Sequence, residues 1–106
     1  MEPCRIDFGA IPWQSPAAAG VRHKAIVRGG RRLRLVEFAR DFAEADWCLK
    51  GHIGYVLEGR MDLVMKDRTF SFGPGDGLFI PAGPEHGHKA KVLSDVLRVI
   101  LVEDVQ

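Results

Sequence analysis

The segment Gly75-Asp76-Gly77-Leu78-Phe79-Ile80-Pro81-Ala82-Gly83-Pro84-Glu85-His86-Gly87-His88 decides the fold. It joins a short apolar strand to a Pro/Gly-rich turn and then to two histidines that share one face of the next strand. On both sides of it, short segments rich in Val, Leu, Ile and Phe are separated by Gly, Pro or charged turn residues. This pattern is typical of consecutive short strands.

We predict eight strands, at residues 24–28, 32–38, 46–57, 61–66, 69–72, 77–80, 86–92 and 96–102. Tight turns are expected at Gly29-Gly30, Glu58-Gly59 and Lys66-Asp67. The only segment that could form a helix is 39–46, which is short and poorly patterned. Because an all-β chain must close its sheet or stack two sheets to bury its apolar faces, the sequence predicts a single antiparallel β-barrel.

A chain of 106 residues with 46% apolar residues suits one domain. Residues 21–106 hold the strand pattern, whereas residues 1–20 contain Pro12, Pro16 and irregularly spaced apolar residues. We interpret 1–20 as an arm that packs Phe8, Ile11 and Trp13 against the barrel or against a second subunit. The arm and the edge strands predict a homodimer.

Charge and composition exclude several partner classes. The 15 Lys and Arg residues balance 14 Asp and Glu, so no overall field attracts nucleic acid or an anionic membrane. The basic cluster around Gly29-Gly30 lacks interleaved aromatic residues and is interpreted as a solvated hairpin tip; it comprises Arg28, Arg31, Arg32 and Arg34. No apolar stretch is long enough to span a bilayer. Only Cys4 and Cys48 are present, which favours reduced thiols and a cytoplasmic location.

Two groups of metal-binding residue types lie far apart in the sequence. Asp46, Cys48 and His52 fall on one face of the predicted strand 46–57, which bends near Gly51. His86 and His88 supply the second group. Thiolate and imidazole together suit zinc best, with nickel, iron or copper as alternatives, and the carboxylate-rich set expected for calcium or magnesium is missing.

The spacing of Gly75, Pro81, Gly83 and His86 resembles the second motif of the cupin family, a group of small jelly-roll β-barrels. Tyr55-Val56-Leu57-Glu58-Gly59 resembles the end of the first cupin motif. This resemblance covers about residues 37–102. It implies a divalent metal, commonly held in cupins by three His and one Glu. At the corresponding positions this chain has Asp46, Cys48, His52 and His86, and Ala90 replaces the family's asparagine.

Several assignments stay open from sequence alone. The family spacing favours His86 as the third ligand, but a slip of two residues in the 83–87 turn would direct His88 inward instead. Cys48 is either a ligand or a small buried apolar residue. Asp46 is a fourth ligand, an acceptor that orients an imidazole, or a turn residue.

The predicted function is a metal-binding cupin with a small-molecule pocket, with catalysis uncertain. One hypothesis is a Lewis-acid isomerase or lyase, which a thiolate ligand favours over an oxygen-activating enzyme because thiolates oxidise. The alternative is a non-catalytic ligand-binding or structural module, with or without metal.

Overall fold

The computed structural model describes residues 4–16, 18–44 and 46–105. Eight strands follow in chain order: β1 Val21–Arg28, β2 Arg31–Ala39, β3 His52–Glu58, β4 Met61–Met65, β5 Thr69–Phe72, β6 Gly77–Ile80, β7 His88–Val92 and β8 Val96–Asp104. Two 3-10 turns lie at Phe8–Ala10 and Pro84–His86. Within the described residues there is no α-helix; of the segment 39–46 that could have formed one, Ala39 ends β2 and residues 40–44 form a turn and an isolated bridge.

The strands form two antiparallel sheets. One has the order β1-β2-β8-β3-β6 and the other β5-β4-β7. Their inner faces pack on a common core of Val36, Val56, Met61, Leu78, Val92, Leu97, Val99 and Leu101. The predicted all-β jelly roll is confirmed, but the sheets pack face to face and are not closed into one continuous hydrogen-bonded barrel.

The connection between β2 and β3 corrects the predicted strand 46–57. Ala43 and Cys48 form isolated bridges with β7, so these two residues lie beside the small sheet, whereas His52 begins a strand of the large sheet. The chain crosses between the sheets at Gly51, where a Cβ would lie 3.0 Å from the carbonyl oxygen of Ile80. The bend expected near Gly51 is therefore present. It separates the bridge residue Cys48 from strand β3, which begins at His52.

The turns follow the glycine pattern. Gly29 and Gly30 connect β1 to β2 with φ of 56° and 76°, and Gly59 connects β3 to β4 with φ of 87°. These left-handed conformations cost glycine little because it has no Cβ. The hairpin predicted at Gly29-Gly30 is confirmed.

The described part of the N-terminal segment lies along β1. Gln14 and His23 form a backbone bridge, and Lys24 Nζ donates to the Phe8 carbonyl at 2.8 Å. The guanidinium of Arg22 lies 4.1 Å from the ring centre of Trp13, a cation-π contact. Phe8, Ile11 and Trp13 are all half-buried, as expected for packing on the surface of the domain. No helix among the described residues is long and apolar enough to cross a membrane.

Candidate metal centre

Cys48, His52 and His88 form a compact group of side chains that could hold a metal ion, on the inner wall of the fold. Their donor atoms all lie within 4.8 Å of one another. Cys48 Sγ is 3.6 Å from His52 Nε2, and the two imidazole rings are 5.2 Å apart in an edge-on arrangement. His88 is 3% exposed. Two segments that are distant in sequence, residues 48–52 and the start of β7, therefore converge on one point.

Backbone pairing fixes two of these residues relative to each other. The Cys48 amide donates to the His88 carbonyl at 2.8 Å, and the His88 amide donates back to the Cys48 carbonyl at 3.1 Å. His88 is also the first residue of β7, directly after the 3-10 turn Pro84–His86. This reciprocal pair sets the position of the thiol beside the imidazole before any ligand binds.

Both imidazoles present Nε2 to the group because their Nδ1 atoms are engaged elsewhere. His88 Nδ1 donates to the His86 carbonyl at 3.0 Å. His52 Nδ1 lies 2.8 Å from Glu103 Oε2, at ion-pair distance although not aligned as a hydrogen bond. A partner on the second ring nitrogen is the arrangement that fixes the tautomer of metal-binding histidines.

Glu103 is itself held by two arginines of β2. Arg34 makes two contacts of 2.7 Å, from Nε to Oε1 and from Nη2 to Oε2, and Arg32 Nη2 donates to Oε1 at 2.8 Å. These contacts follow from the β2–β8 register, in which Arg32 lies directly opposite Glu103 on the inner face. A buried carboxylate with two guanidinium partners can remain charged at low solvent exposure.

The group is electrostatically coupled. Contacts with His52 and His88 lower the pKa of the Cys48 thiol to about 6. Burial disfavours the charged form of His52, but its contacts with Cys48 and Glu103 prevail and raise its pKa to about 9. Contact with Cys48 also raises the pKa of His88. Near neutral pH the metal-free site therefore holds a thiolate beside an imidazolium, and a metal must displace the proton of His52.

The carboxylate of Glu103 responds to the same network in the opposite sense. Burial raises its pKa, but His52 and the arginines outweigh burial and hold the pKa well below its usual range. Glu103 is therefore ionised whenever the fold is intact near neutral pH. Its negative charge faces His52 permanently.

A cavity of about 240 Å³ adjoins the three donors. Its polar lining consists of Arg34, Glu44, Cys48, His52 and His88. The rest of the lining is apolar: Pro16, Ala18, Val21, Val36, Phe38, Phe42, Met61, Leu63, Leu78, Ile80, Ala90, Val99 and Leu101. The Glu44 carboxylate accepts from the Ala90 amide at 2.8 Å, which anchors the only carboxylate among these lining residues.

The donor set fits a zinc-type ion. Tetrahedral zinc with bonds of about 2.3 Å to sulfur and about 2.05 Å to nitrogen separates these donors by about 3.6 Å. Cys48 Sγ and His52 Nε2 have that separation, 3.6 Å. The widest separation is 4.8 Å, so one pair would have to approach by about 1 Å on binding. If these three side chains held a tetrahedral ion, one coordination position would stay open toward the cavity, as in catalytic zinc sites.

The two other predicted ligands lie outside this group. His86, which the family spacing favoured, lies in the 3-10 turn, where its ring is 3.8 Å from Glu85 and its carbonyl supports His88. The turn from Gly83 to Gly87 shifts the inward-facing histidine by two residues, so that His88 points inward in place of His86. Asp46 is an exposed bend residue and is not part of the group.

Sequence reasoning missed Glu103 and misjudged Arg32 and Arg34, which belong to the predicted solvated hairpin tip. Only Arg28 and Arg31 are exposed there. The sequence did contain a signal for this network, because side chains two residues apart in a strand share a face. Arg32 and Arg34 share a face with Val36. Glu103 shares one with Val99 and Leu101. Charged residues at inward positions of a strand indicate a paired internal network.

Comparison with known proteins agrees with this architecture. Residues 50–103, just over half of the chain, match the cupin domain family. The chain therefore belongs to the cupin family. The matched region contains His52, His88 and Glu103, but it begins after Cys48. No curated protein sequence matches the chain.

Many solved structures share the fold. The polyketide cyclase RemF from Streptomyces resistomycificus is 25% identical, with a TM-score of 0.76 over 96% of this chain and 79% of that chain. A sugar phosphate isomerase of the cupin superfamily from Silicibacter pomeroyi is 18% identical, with a TM-score of 0.77 over 96% and 76%. KdgF from Halomonas sp. is 22% identical, with a TM-score of 0.69 over 90% and 89%.

Proposed function

We propose that this cupin is a zinc-dependent enzyme that catalyses an isomerisation or an elimination reaction of a small organic substrate. The observation that carries the proposal is the convergence of Cys48, His52 and His88 on the wall of a largely apolar cavity. The similarity to a polyketide cyclase and a sugar phosphate isomerase supports a small-molecule substrate. A thiolate ligand is exposed to oxidation, which favours isomerase or lyase chemistry over oxygen activation.

Each residue of the site has a distinct role in this proposal. A bound zinc ion would supply Lewis-acid polarisation of a substrate oxygen. Cys48, His52 and His88 hold the ion, and Glu103 orients the ring of His52. The apolar wall contacts the rest of the substrate, and Glu44 is the carboxylate placed to accept or return a substrate proton.

Proton transfer from carbon is the readout that tests this function. We expect the zinc-loaded protein to incorporate solvent deuterium into cyclohexanone or acetophenone next to the carbonyl, measured by mass spectrometry. Glu44→Gln should lower the rate by about 100-fold, the usual scale of general-base catalysis. Glu58→Gln, on the exposed hairpin, is the matched control and should keep the rate.

If metal binds but no tested ketone exchanges faster than with free zinc, the non-catalytic binding module becomes the better account. If Glu44→Gln exchanges at the wild-type rate, Glu44 is not the base.

We also propose that the chain forms a homodimer through the edge strand β6. Phe79 on this strand is 77% exposed, and Ile53, its partner in the β3–β6 register, shares the same outward face. An exposed apolar edge favours pairing with a second copy. The cytoplasmic location stays a prediction.

Light scattering after gel filtration tests the dimer. We expect a dimer for the wild type and a monomer for Phe79→Lys. Phe70→Lys, at an exposed position on β5 of the other sheet, should remain dimeric. A wild type that elutes as a monomer even at high concentration would rule out this assembly.

A further inference from the structure

The cavity wall away from the three donors is apolar on both sheets. Val36, Val99 and Leu101 line it from the large sheet, and Met61 and Leu63 line it from the small sheet. The aromatic pair Phe38 and Phe42, with ring centres 4.8 Å apart, adds a further apolar part of the lining. A ligand hydroxyl placed against these groups would lose its water without gaining a partner, which disfavours polyhydroxylated ligands.

The cavity also lacks a free arginine or lysine, among the described residues that line it, that could hold a phosphate. Arg34 is the only arginine or lysine among the described residues that line it. All three nitrogens of that guanidinium are engaged: Nε and Nη2 with Glu103, and Nη1 with His23 Nδ1 at 3.1 Å. Phosphate recognition normally uses a free arginine or lysine. A phosphorylated ligand would therefore have to break the network that orients His52.

Size sets a further limit. An apolar cavity of about 150 Å³ accommodates benzene. The volume here, about 240 Å³, is larger by roughly half and suits one ring with short substituents. The polar groups of the lining are the three donors, Glu44 and Arg34, and the nitrogens of the Arg34 guanidinium are already engaged.

We propose that the ligand is a single-ring compound, apolar over most of its surface, with one oxygen donor directed at Cys48, His52 and His88. Phenols and cyclic or aryl ketones have this form, whereas sugars and sugar phosphates do not. The inference rests on the proposed function only for the oxygen donor, whose partner is the metal. The apolar part of the ligand is recognised by the cavity wall with or without metal.

Isothermal titration calorimetry with four probes separates these two parts. Toluene and phenol should both bind the metal-free protein, and xylose and ribose 5-phosphate should not. Zinc loading should strengthen phenol binding at least 10-fold and leave toluene binding unchanged. If the protein fails to bind zinc, the proposed function fails, but the metal-free titrations still test the ligand class.

Filling the cavity should remove the ring site. Ala90→Ile adds volume to the cavity wall, and Val99→Phe is a second variant at the opposite sheet. We expect either variant to weaken toluene binding at least 10-fold in protein that still unfolds cooperatively. Ala43→Ile, at an exposed position on the neighbouring segment, is the control and should bind as wild type.

Three results would overturn the proposal. They are tighter binding of xylose or ribose 5-phosphate than of toluene, unchanged toluene binding in both filled variants, and equal phenol affinity with and without bound zinc.

Discussion

His88→Ala is expected to lose bound zinc, whereas His86→Ala, only two residues earlier, is expected to keep it. The His88 ring is buried within the donor group, and the His86 ring lies outside that group, in the 3-10 turn. Removing one of three protein ligands should lower the zinc affinity by more than about 100-fold. This exceeds the loss of about 10- to 100-fold that is typical when a residue that orients a ligand is removed. Plasma mass spectrometry on protein without a histidine tag, with chelator competition for affinity, measures the difference.

The same measurement has internal controls. Cys48→Ala and His52→Ala should lose zinc as His88→Ala does, and Cys4→Ala should retain it because Cys4 is exposed and outside the group. A cobalt-substituted wild type should show thiolate-to-metal absorbance that Cys48→Ala abolishes. Retention of zinc by His88→Ala together with its loss from His86→Ala would show that the turn rearranges and that the family spacing holds.

Glu103→Ala is expected to destabilise the fold by about 3 kcal/mol or more. Its side chain is 5% exposed and pairs with Arg32 and Arg34, whose side chains are 25% and 16% exposed. Removing one partner of a buried charge network leaves the other charges without compensation, which is the costly way to break it. For a domain of about this size the melting temperature should fall by about 10–20 °C, measurable by calorimetry.

Glu58→Ala is the matched control, because Glu58 also pairs with an arginine, Arg98, but its side chain is 55% exposed. Its cost should stay below about 1 kcal/mol. Equal losses for the two variants would contradict a structural role for the buried network.

A second readout separates orientation of His52 from simple stability. Glu103→Gln keeps the shape of the side chain, so we expect folded protein whose zinc affinity is lower by about 10- to 100-fold. Zinc affinity equal to wild type in folded Glu103→Gln would show that the 2.8 Å contact with His52 Nδ1 has no positioning role.

Much of the fold could be predicted because its signals are local. The hairpin at Gly29-Gly30, the turn at Glu58-Gly59 and the strand at Gly77–Ile80 each depend on neighbouring residues. The strand predicted over 46–57 was wrong at its start for a non-local reason. The bridge between Cys48 and His88 draws the chain onto the small sheet, and no periodicity in the sequence records that pairing.

The candidate metal site was likewise predictable from the sequence only in part. The residue types and the spacing of Cys48 and His52 indicated a metal centre, and the sequence left His86 and His88 as alternatives. The choice depends on whether the backbone after Gly83 continues as a strand or makes a turn. The structure has a turn, with the His86 amide bonded to the Gly83 carbonyl and the Gly87 amide to the Pro84 carbonyl.

The sequence by itself determined the all-β jelly roll, its turns and the residue types that could bind a metal, because alternation and turn chemistry act over a few residues. The tertiary structure alone decided that His88 joins Cys48 and His52, and that Glu103, Arg32 and Arg34 lie behind them. Those contacts depend on the register of β2 against β8 and on the crossing of the chain between sheets at Gly51. Pairing between strands distant in sequence is set by how the two sheets pack their common core, and short-range patterns do not encode it.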